Sequence, residues 1–145
     1  MESITEISSS STAMVWAGRI LSALPVLIMV GTGLFALLKP EAIAPQFAHY
    51  GYPDGALARI VTVEILCALL YAIPRTSALG AILLTAYLGG ATATHVHARE
   101  PFFIPIVVGV MVWLGLYLRD ERVRALVPLR RQGLQTNLET MRRHI

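Results

Sequence analysis

The sequence predicts an all-α protein, an integral membrane bundle of four helices with both termini in the cytoplasm. Of its 145 residues, 55% are hydrophobic and only 14% are charged, whereas soluble domains carry about 25% charged residues. The mean hydropathy is +0.62. The charges are also segregated, because long stretches between Trp16 and Leu118 carry almost none. This distribution is typical of a chain solvated by lipid tails and unlike a water-facing surface.

Four apolar runs predict the four helices of a membrane domain that spans residues 16–120. Each run is close to the ~20 residues that a membrane helix needs. The runs cover about 16–38, 57–73, 78–94 and 102–118.

The first run follows a polar, serine-rich segment, residues 1–15, which we interpret as an N-terminal tail. A secretory signal has a basic start and an apolar stretch of about 7–15 residues. This segment carries Glu2 and Glu6 instead, and the apolar run that follows is longer. We therefore expect a retained membrane helix.

The connections between the runs differ in length. Residues 39–56 are rich in proline and glycine and are expected to form a loop with partial structure. The short connection 74–77 predicts a tight turn, which makes the second and third helices an antiparallel hairpin.

Orientation follows from the arginine distribution, since cytoplasmic loops carry an excess of basic residues. With the N-terminus inside, only Lys39, Arg59 and Arg99 fall outside. The arginines that fall inside include Arg19, Arg75, Arg119, Arg122, Arg124, Arg130 and Arg131. The sequence therefore predicts an N-in, C-in membrane protein.

Residues 121–145 form a basic cytoplasmic tail with a pattern of its own. Leu134, Leu138, Met141 and Ile145 recur on one helical face and are flanked by arginines. This pattern favours a helix lying on the inner leaflet, and a disordered tail is the alternative.

Glu64 is the first candidate for chemistry because it lies near the middle of the second helix. A charge there costs roughly 2.5–3.5 kcal/mol on insertion scales, so such a residue normally faces other helices and has a partner. Counting from the tight turn places Tyr87 of the third helix level with Glu64. We expect Glu64 to handle a proton or to anchor a ligand, and a purely structural hydrogen bond is the alternative.

His95 is the second candidate catalytic residue. It lies above Glu64, at the outer end of the third helix, on one face with Thr92. His95 and Thr92 are expected to share a pocket with Glu64 rather than to touch it. Arg59, on the outer part of the second helix, is a further candidate ligand contact, together with Tyr87.

Several site classes are excluded or disfavoured. Cys67 is the single cysteine, so the chain has neither an internal disulfide nor a CxxC pair. No nucleotide-binding, haem-attachment or zinc-protease motif is present, and His95 and His97 are spaced unlike a metal pair. We predict no metal site, and no cofactor is indicated. The basic residues favour the membrane surface over nucleic acid.

The chain resembles the DoxX-like family of small bacterial membrane proteins, from about Pro25 to Asp120. The segments that carry the resemblance are 64–66, 73–76, 84–91, 100–103 and 112–120, with His95 between them. The resemblance implies a four-helix membrane bundle. The wider group is linked to quinone-coupled sulfur oxidation, and a related animal group to receptor assembly. After the histidine this chain carries His97 and Arg99, where the family has an arginine and then a glycine.

Two functions compete at this point, and whether the chain is an enzyme stays open. The first is a pocket between helices for a small lipophilic molecule, such as a quinone or an epoxide or isoprenoid-type substrate, with Glu64 as the proton-handling group. The second is a non-enzymatic assembly or structural subunit. Its stripe of small residues, Ala81, Thr85, Gly89 and Ala93, would bind a partner helix or a second copy of the chain. A transporter is a weaker third reading, since four helices with one carboxylate make a minimal pathway unless the protein oligomerises.

Overall fold

The computed structural model describes residues 2–126, with side chains from residue 12 onward, and this part of the chain consists of helices and short connections without a strand. The helices are α1 (Glu2–Leu38), α2 (Pro40–His49), α3 (Ala56–Ala72), α4 (Ser77–His97), α5 (Phe103–Arg119) and α6 (Glu121–Leu126).

The four predicted apolar helices correspond to α1, α3, α4 and α5. Their ends agree closely with the prediction, the largest difference being α4, which continues past Thr94 to His97. The exception is the start of α1. The polar segment that precedes Trp16 is helical from Glu2, because extending an existing helix costs much less than nucleating one.

Two of these helices are long and apolar enough to cross a membrane. They are Thr12–Leu38 within α1 and Ser77–His97, which is α4. The apolar helix α5 is shorter, at 17 residues.

Helix α2 lies in the segment that was expected to be a loop with partial structure. Pro40 occupies the first turn of α2, where a backbone N–H would have no partner within the helix, so proline costs no hydrogen bond there. Glu41 lies in the same turn and His49 lies in the last turn, the ends at which the helix dipole favours acidic and basic residues respectively. Its half-buried residues, Ile43, Phe47 and the following Tyr50, share one helical face. This face lies against the longer helices, and α2 contacts α1 and α3.

The four long helices pack in a closed cycle, in which α1 and α4 each contact α3 and α5. The largest fully buried side chains come from all four: Tyr71, Leu84, Leu116, Val112 and Pro25. The hydroxyl of Tyr71 donates to the Val112 carbonyl at 2.7 Å and is hydrogen-bonded to Ser22 Oγ at 2.9 Å. Tyr71 therefore ties α3 to α1 and α5.

The turn between α3 and α4 brings the two helices together as predicted. Thr76 Oγ1 donates to the Leu70 carbonyl at 2.7 Å and fixes the turn. Gly80, one turn into α4, lies directly against the backbone of Tyr71, and a Cβ at this position would overlap it. The absence of a side chain at Gly80 is therefore what permits the close approach.

The chain continues after α5 into the short helix α6. Val123 of α6 is buried and joins the core cluster, and Arg124 donates to the Leu118 carbonyl at 2.9 Å. The predicted interfacial helix over residues 134–145 lies outside the described residues.

Candidate functional site

A cavity of about 600 Å³ opens between the helices, with Glu64 in its wall. We call it the Glu64 cavity. Its volume falls within the range of ligand pockets. It is lined by Ile28, Met29, Thr32, Gln46, Phe47, Tyr50, Tyr52, Ile60, Glu64, Ala86, Tyr87, Leu88, Gly90, Ala91, Thr94, His95, Ile104, Pro105 and Val108.

Glu64 has two polar partners, each on a different helix. Tyr87 of α4 donates its hydroxyl proton to Glu64 Oε2 at 2.7 Å. Thr32 of α1 lies 3.4 Å from Oε1, but its hydroxyl also donates to the Ile28 carbonyl at 2.8 Å. A hydroxyl has a single proton, so the short bond to Ile28 takes it. Glu64 therefore receives one strong hydrogen bond, from Tyr87.

The predicted partner of Glu64 is confirmed. Counting equal distances from the turn placed Tyr87 level with Glu64, and the hydrogen bond joins these two residues. Thr32 was not predicted, because the sequence does not fix which face of α1 meets α3. The sequence carried no signal that could have selected it.

No cation balances Glu64 within residues 12–126. The two ion pairs found there are His49 with Glu100 and Arg124 with Glu121. No lysine or arginine lines the Glu64 cavity. An ionised carboxylate is costly in such surroundings unless something compensates its charge. The geometry therefore suits a carboxyl group that carries its own proton or meets a ligand.

His95 lines the same cavity without touching Glu64, as expected. Its ring nitrogen Nδ1 lies 2.8 Å from the Ala91 carbonyl, and its ring lies 5.8 Å from that of Tyr50. Because a carbonyl only accepts, Nδ1 carries the proton, and Nε2 of the neutral ring is an acceptor. His95 lies eight residues beyond Tyr87 on α4, so the two are separated by about 12 Å along the helix.

A cluster of polar side chains stands beside His95, and we call it the rim cluster: Gln46, His49, Tyr50 and Glu100. Tyr50 donates to Glu100 Oε2 at 2.7 Å and accepts from Gln46 Nε2 at 2.6 Å. Burial, reinforced by Glu100, raises the pKa of Tyr50, so this hydroxyl keeps its proton and remains a donor.

The sequence analysis did not predict the rim cluster. Gln46 and His49 are carried by α2, and Tyr50 directly follows it. The spacing of Ile43, Phe47 and Tyr50 was the signal that could have found this helix. A second contact, Tyr52 to Thr94 at 2.8 Å, joins the same segment to α4.

The structure does not bring Thr92 and Arg59 to the Glu64 cavity. Thr92 donates to the Leu88 carbonyl at 2.8 Å and faces a separate groove between α4 and α5. Although Thr92 is only three residues from His95, its side chain lies on the part of α4 that faces this groove, and His95 lies on the part that faces the cavity. Arg59 is exposed, five residues from Glu64 and therefore turned well away from it around the axis of α3.

We call the second concavity the α4–α5 groove. It has a volume of about 680 Å³ and is lined by Thr85, Leu88, Gly89, Thr92, Pro105, Ile106, Gly109, Val110, Trp113, Leu114, Tyr117 and Val123. It has few polar groups, and two of them bond to each other: Trp113 Nε1 donates to Thr85 Oγ1 at 2.8 Å. The groove is thus almost entirely apolar.

Metal ligation has no support in the described part of the chain, where no three His, Cys, Asp or Glu side chains come close enough to hold an ion. The wall of the Glu64 cavity itself offers one carboxyl group, one imidazole and several phenols.

One comparison with known proteins identifies a family for this chain. The family model of the DoxX-like family matches residues 20–115, which is more than half of the chain and includes Glu64, Tyr87 and His95. No curated protein and no solved structure matches.

Proposed function

This chain belongs to the DoxX-like family, which is membrane-associated, and we propose that it is a multi-pass protein of the bacterial inner membrane. In this proposal α1, α3, α4 and α5 form a transmembrane four-helix bundle, with both termini in the cytoplasm. Two of these helices meet the length and composition of a membrane span. The basic segment 121–145 is then on the cytoplasmic side, where anionic headgroups favour basic residues.

Within that bundle, the Glu64 cavity binds a small lipophilic molecule, and Glu64 exchanges a proton with it. One observation carries this proposal: a carboxyl group with a single strong hydrogen bond, from Tyr87 at 2.7 Å, lines a cavity of about 600 Å³ that has no lysine or arginine. A group of purely structural value would need no cavity beside it.

The proposed chemistry assigns a role to each of three polar side chains in the wall, those of Tyr87, Glu64 and His95. Tyr87 holds Glu64 in position by donating to Oε2, which leaves Oε1 to give or take the proton. His95, with Nε2 as an acceptor, meets the far end of the ligand. Between them the wall is mainly apolar, which selects a lipophilic body. Quinones and epoxide or isoprenoid-type molecules are classes of suitable size.

Carbodiimide labelling tests the proton on Glu64. Dicyclohexylcarbodiimide is lipophilic and adds to protonated carboxyl groups, and peptide mass spectrometry locates the adduct. We expect labelling at Glu64, which Glu64→Gln removes. The exposed Glu41 is the internal control and should react with a water-soluble carbodiimide instead. Inertness of Glu64 to the lipophilic reagent, or equal labelling by both reagents, would contradict the proposal.

A non-enzymatic assembly subunit is the second candidate function, and the α4–α5 groove favours it. In the stripe of small residues, Ala81 is fully buried within the chain. Thr85, Gly89 and Ala93 are exposed, and a Cβ at Gly89 would meet nothing within 4 Å. This part of the stripe is therefore open to a helix from a second copy of the chain.

The oligomeric state tests this second function. If α4 meets a second copy at Gly89, Gly89→Leu should convert the oligomer to monomer in light scattering of the detergent-solubilised protein. Gly31→Leu on α1 is the matched control, because Gly31 is equally open. A wild-type monomer, or equal effects of the two substitutions, would rule out assembly through this stripe.

A further inference from the structure

We infer that the ligand of the Glu64 cavity carries a basic nitrogen on a lipophilic body, that is, a lipophilic amine. This inference rests on the proposed function and names the chemical class of its ligand. It follows from which hydrogen-bonding atoms in the cavity wall are already engaged, and from the sign of the charge that remains.

The hydrogen-bond donors of the wall are almost all used within the protein. Tyr87 donates to Glu64 and Tyr50 to Glu100. Thr32 donates to the Ile28 carbonyl and His95 Nδ1 to the Ala91 carbonyl. Thr94 donates to the Gly90 carbonyl at 3.1 Å, so in its contact with Tyr52 it accepts. Of the side chains in the wall, Gln46 alone retains a spare N–H, since one of its two serves Tyr50.

Two atoms of the wall are left over: His95 Nε2, which accepts, and Glu64 Oε1, which donates when it is protonated and accepts when it is ionised. Glu64 Oε1 has only the 3.4 Å contact with Thr32, whose proton is committed elsewhere. Nε2 of His95 has no hydrogen-bonding partner among residues 12–126. A ligand that offers only acceptors, such as an oxidised quinone or an epoxide, can accept from the protonated carboxyl group, but it leaves His95 Nε2 and the ionised carboxylate unmatched. A ligand that donates N–H or O–H groups would satisfy them.

The charge of Glu64 narrows the chemical class of the ligand further. A carboxylate or phosphate on the ligand would meet Glu64 with no lysine or arginine in the wall to offset the repulsion. A neutral alcohol would satisfy hydrogen bonding but leave Glu64 uncompensated whenever it ionises. A protonated amine is not repelled by Glu64 and compensates the charge of its carboxylate. The hydrogen bond between them is charge-assisted, and such bonds are roughly twice as strong as neutral ones.

The proton transfer is balanced within this pair. The nitrogen lone pair takes the proton of the Glu64 carboxyl group, so that an N–H bond forms as the O–H bond breaks. The products are an ammonium and a carboxylate in contact, and Tyr87 continues to donate to the carboxylate. The rings of Phe47, Tyr50, Tyr52 and Tyr87 in the wall suit a cation, since aromatic faces attract positive charge.

Three probes with the same chain and different head groups test the inference: dodecylamine, 1-dodecanol and dodecanoate. The purified full-length protein in phosphatidylcholine nanodiscs is heated, and unfolding is followed by the fluorescence of Trp16 and Trp113. A ligand that binds only the folded state raises the unfolding temperature. We expect dodecylamine to raise it by on the order of 5–10 °C at about 100 times its dissociation constant. Dodecanol should give a smaller shift and dodecanoate none.

Two variants localise the effect. Glu64→Gln should reduce the dodecylamine shift to that of dodecanol, whereas Glu41→Gln, an exposed carboxylate outside the cavity, should leave it unchanged. Should Glu64→Gln fail to fold, the order of the three probes on the wild-type protein decides the matter. Ala91→Phe, which fills the cavity, should abolish every shift.

The outcomes separate the two proposals. A dodecanol shift as large as that of dodecylamine, or a dodecylamine shift that survives in Glu64→Gln, overturns the amine. If either of these results is found and Ala91→Phe nevertheless abolishes the shifts, a lipophile-binding cavity stands while the amine falls. If no probe changes the unfolding temperature, both the amine and the binding function are overturned.

Discussion

Glu64 shows how much chemistry a single residue can reveal from its position alone. A carboxylate among the apolar residues of a helix predicts a polar partner, and depth along two antiparallel helices was enough to select Tyr87. The partner on α1, Thr32, could not be selected in this way. Its helix is not joined to α3 by a short turn, so neither the depth nor the face of α1 was fixed by the sequence.

At this scale, Glu64→Gln should leave the protein inserted and folded. A glutamine carbonyl still accepts the hydrogen bond of Tyr87, so we expect the free energy of unfolding to change by less than about 1 kcal/mol. Thermal unfolding of the purified protein measures this. Loss of the folded protein in Glu64→Gln would show that the charge itself holds the helices together.

Tyr71→Phe should be costly, in contrast. The substitution removes the hydroxyl that serves Ser22 and the Val112 carbonyl in a fully buried place. We expect a loss of about 1–3 kcal/mol in the free energy of unfolding, measured by thermal or denaturant unfolding in detergent. Tyr117→Phe is the control, since the half-buried Tyr117 has no hydrogen-bonding partner within residues 12–126. Equal unfolding temperatures for the two variants would contradict this account of Tyr71.

At the scale of elements, the α3–α4 hairpin was predictable and α2 was not. The hairpin follows from a four-residue connection that leaves no alternative path for the chain. Helix α2 has only 10 residues, and the prolines and glycines around it resemble loop composition. Its amphipathic face becomes meaningful only once the longer helices provide a surface to cover. The polar rim cluster was missed for the same reason.

Gly80 tests the packing of the hairpin. Gly80→Ala places a methyl group against the backbone of Tyr71, and backbone cannot move aside cheaply. We expect destabilisation by about 1–3 kcal/mol or more, read from the unfolding temperature. Gly89→Ala on the same helix is the matched control. It meets no atom and should be neutral or stabilising by roughly 0.5–1 kcal/mol. Equal effects at the two positions would mean that α3 and α4 do not approach at Gly80.

At the scale of the whole molecule, the sequence predicts an all-helical fold, and the structure agrees for the residues it describes. The enclosure of the Glu64 cavity by five helices could not be predicted from the sequence. In a chain of this composition, apolar residues are expected both on the faces towards lipid and on the faces towards neighbouring helices. Hydrophobic periodicity therefore cannot separate the two faces. This explains why Thr92 was grouped with His95, although the structure places Thr92 in the α4–α5 groove.

Topology is the prediction that belongs to this scale. The arginine imbalance predicts that the C-terminal tail is cytoplasmic. Asn137→Cys in a Cys67→Ala background provides a single reporter thiol. In intact cells a membrane-impermeant maleimide should fail to label it, and permeabilised cells provide the positive control. Labelling in intact cells would invert the proposed orientation.

The central claim is that the Glu64 cavity holds a small lipophilic molecule, and the most direct measurement is mass spectrometry of what co-purifies in mild detergent. Wild-type protein should carry a lipophilic molecule in near-stoichiometric amount. The cavity-filling Ala91→Phe should lose this molecule, Glu64→Gln should retain much less of it, and Glu41→Gln should retain it fully. An extract from the wild-type protein that contains only bulk phospholipid, in the same amount as the extract from Ala91→Phe, would contradict the claim.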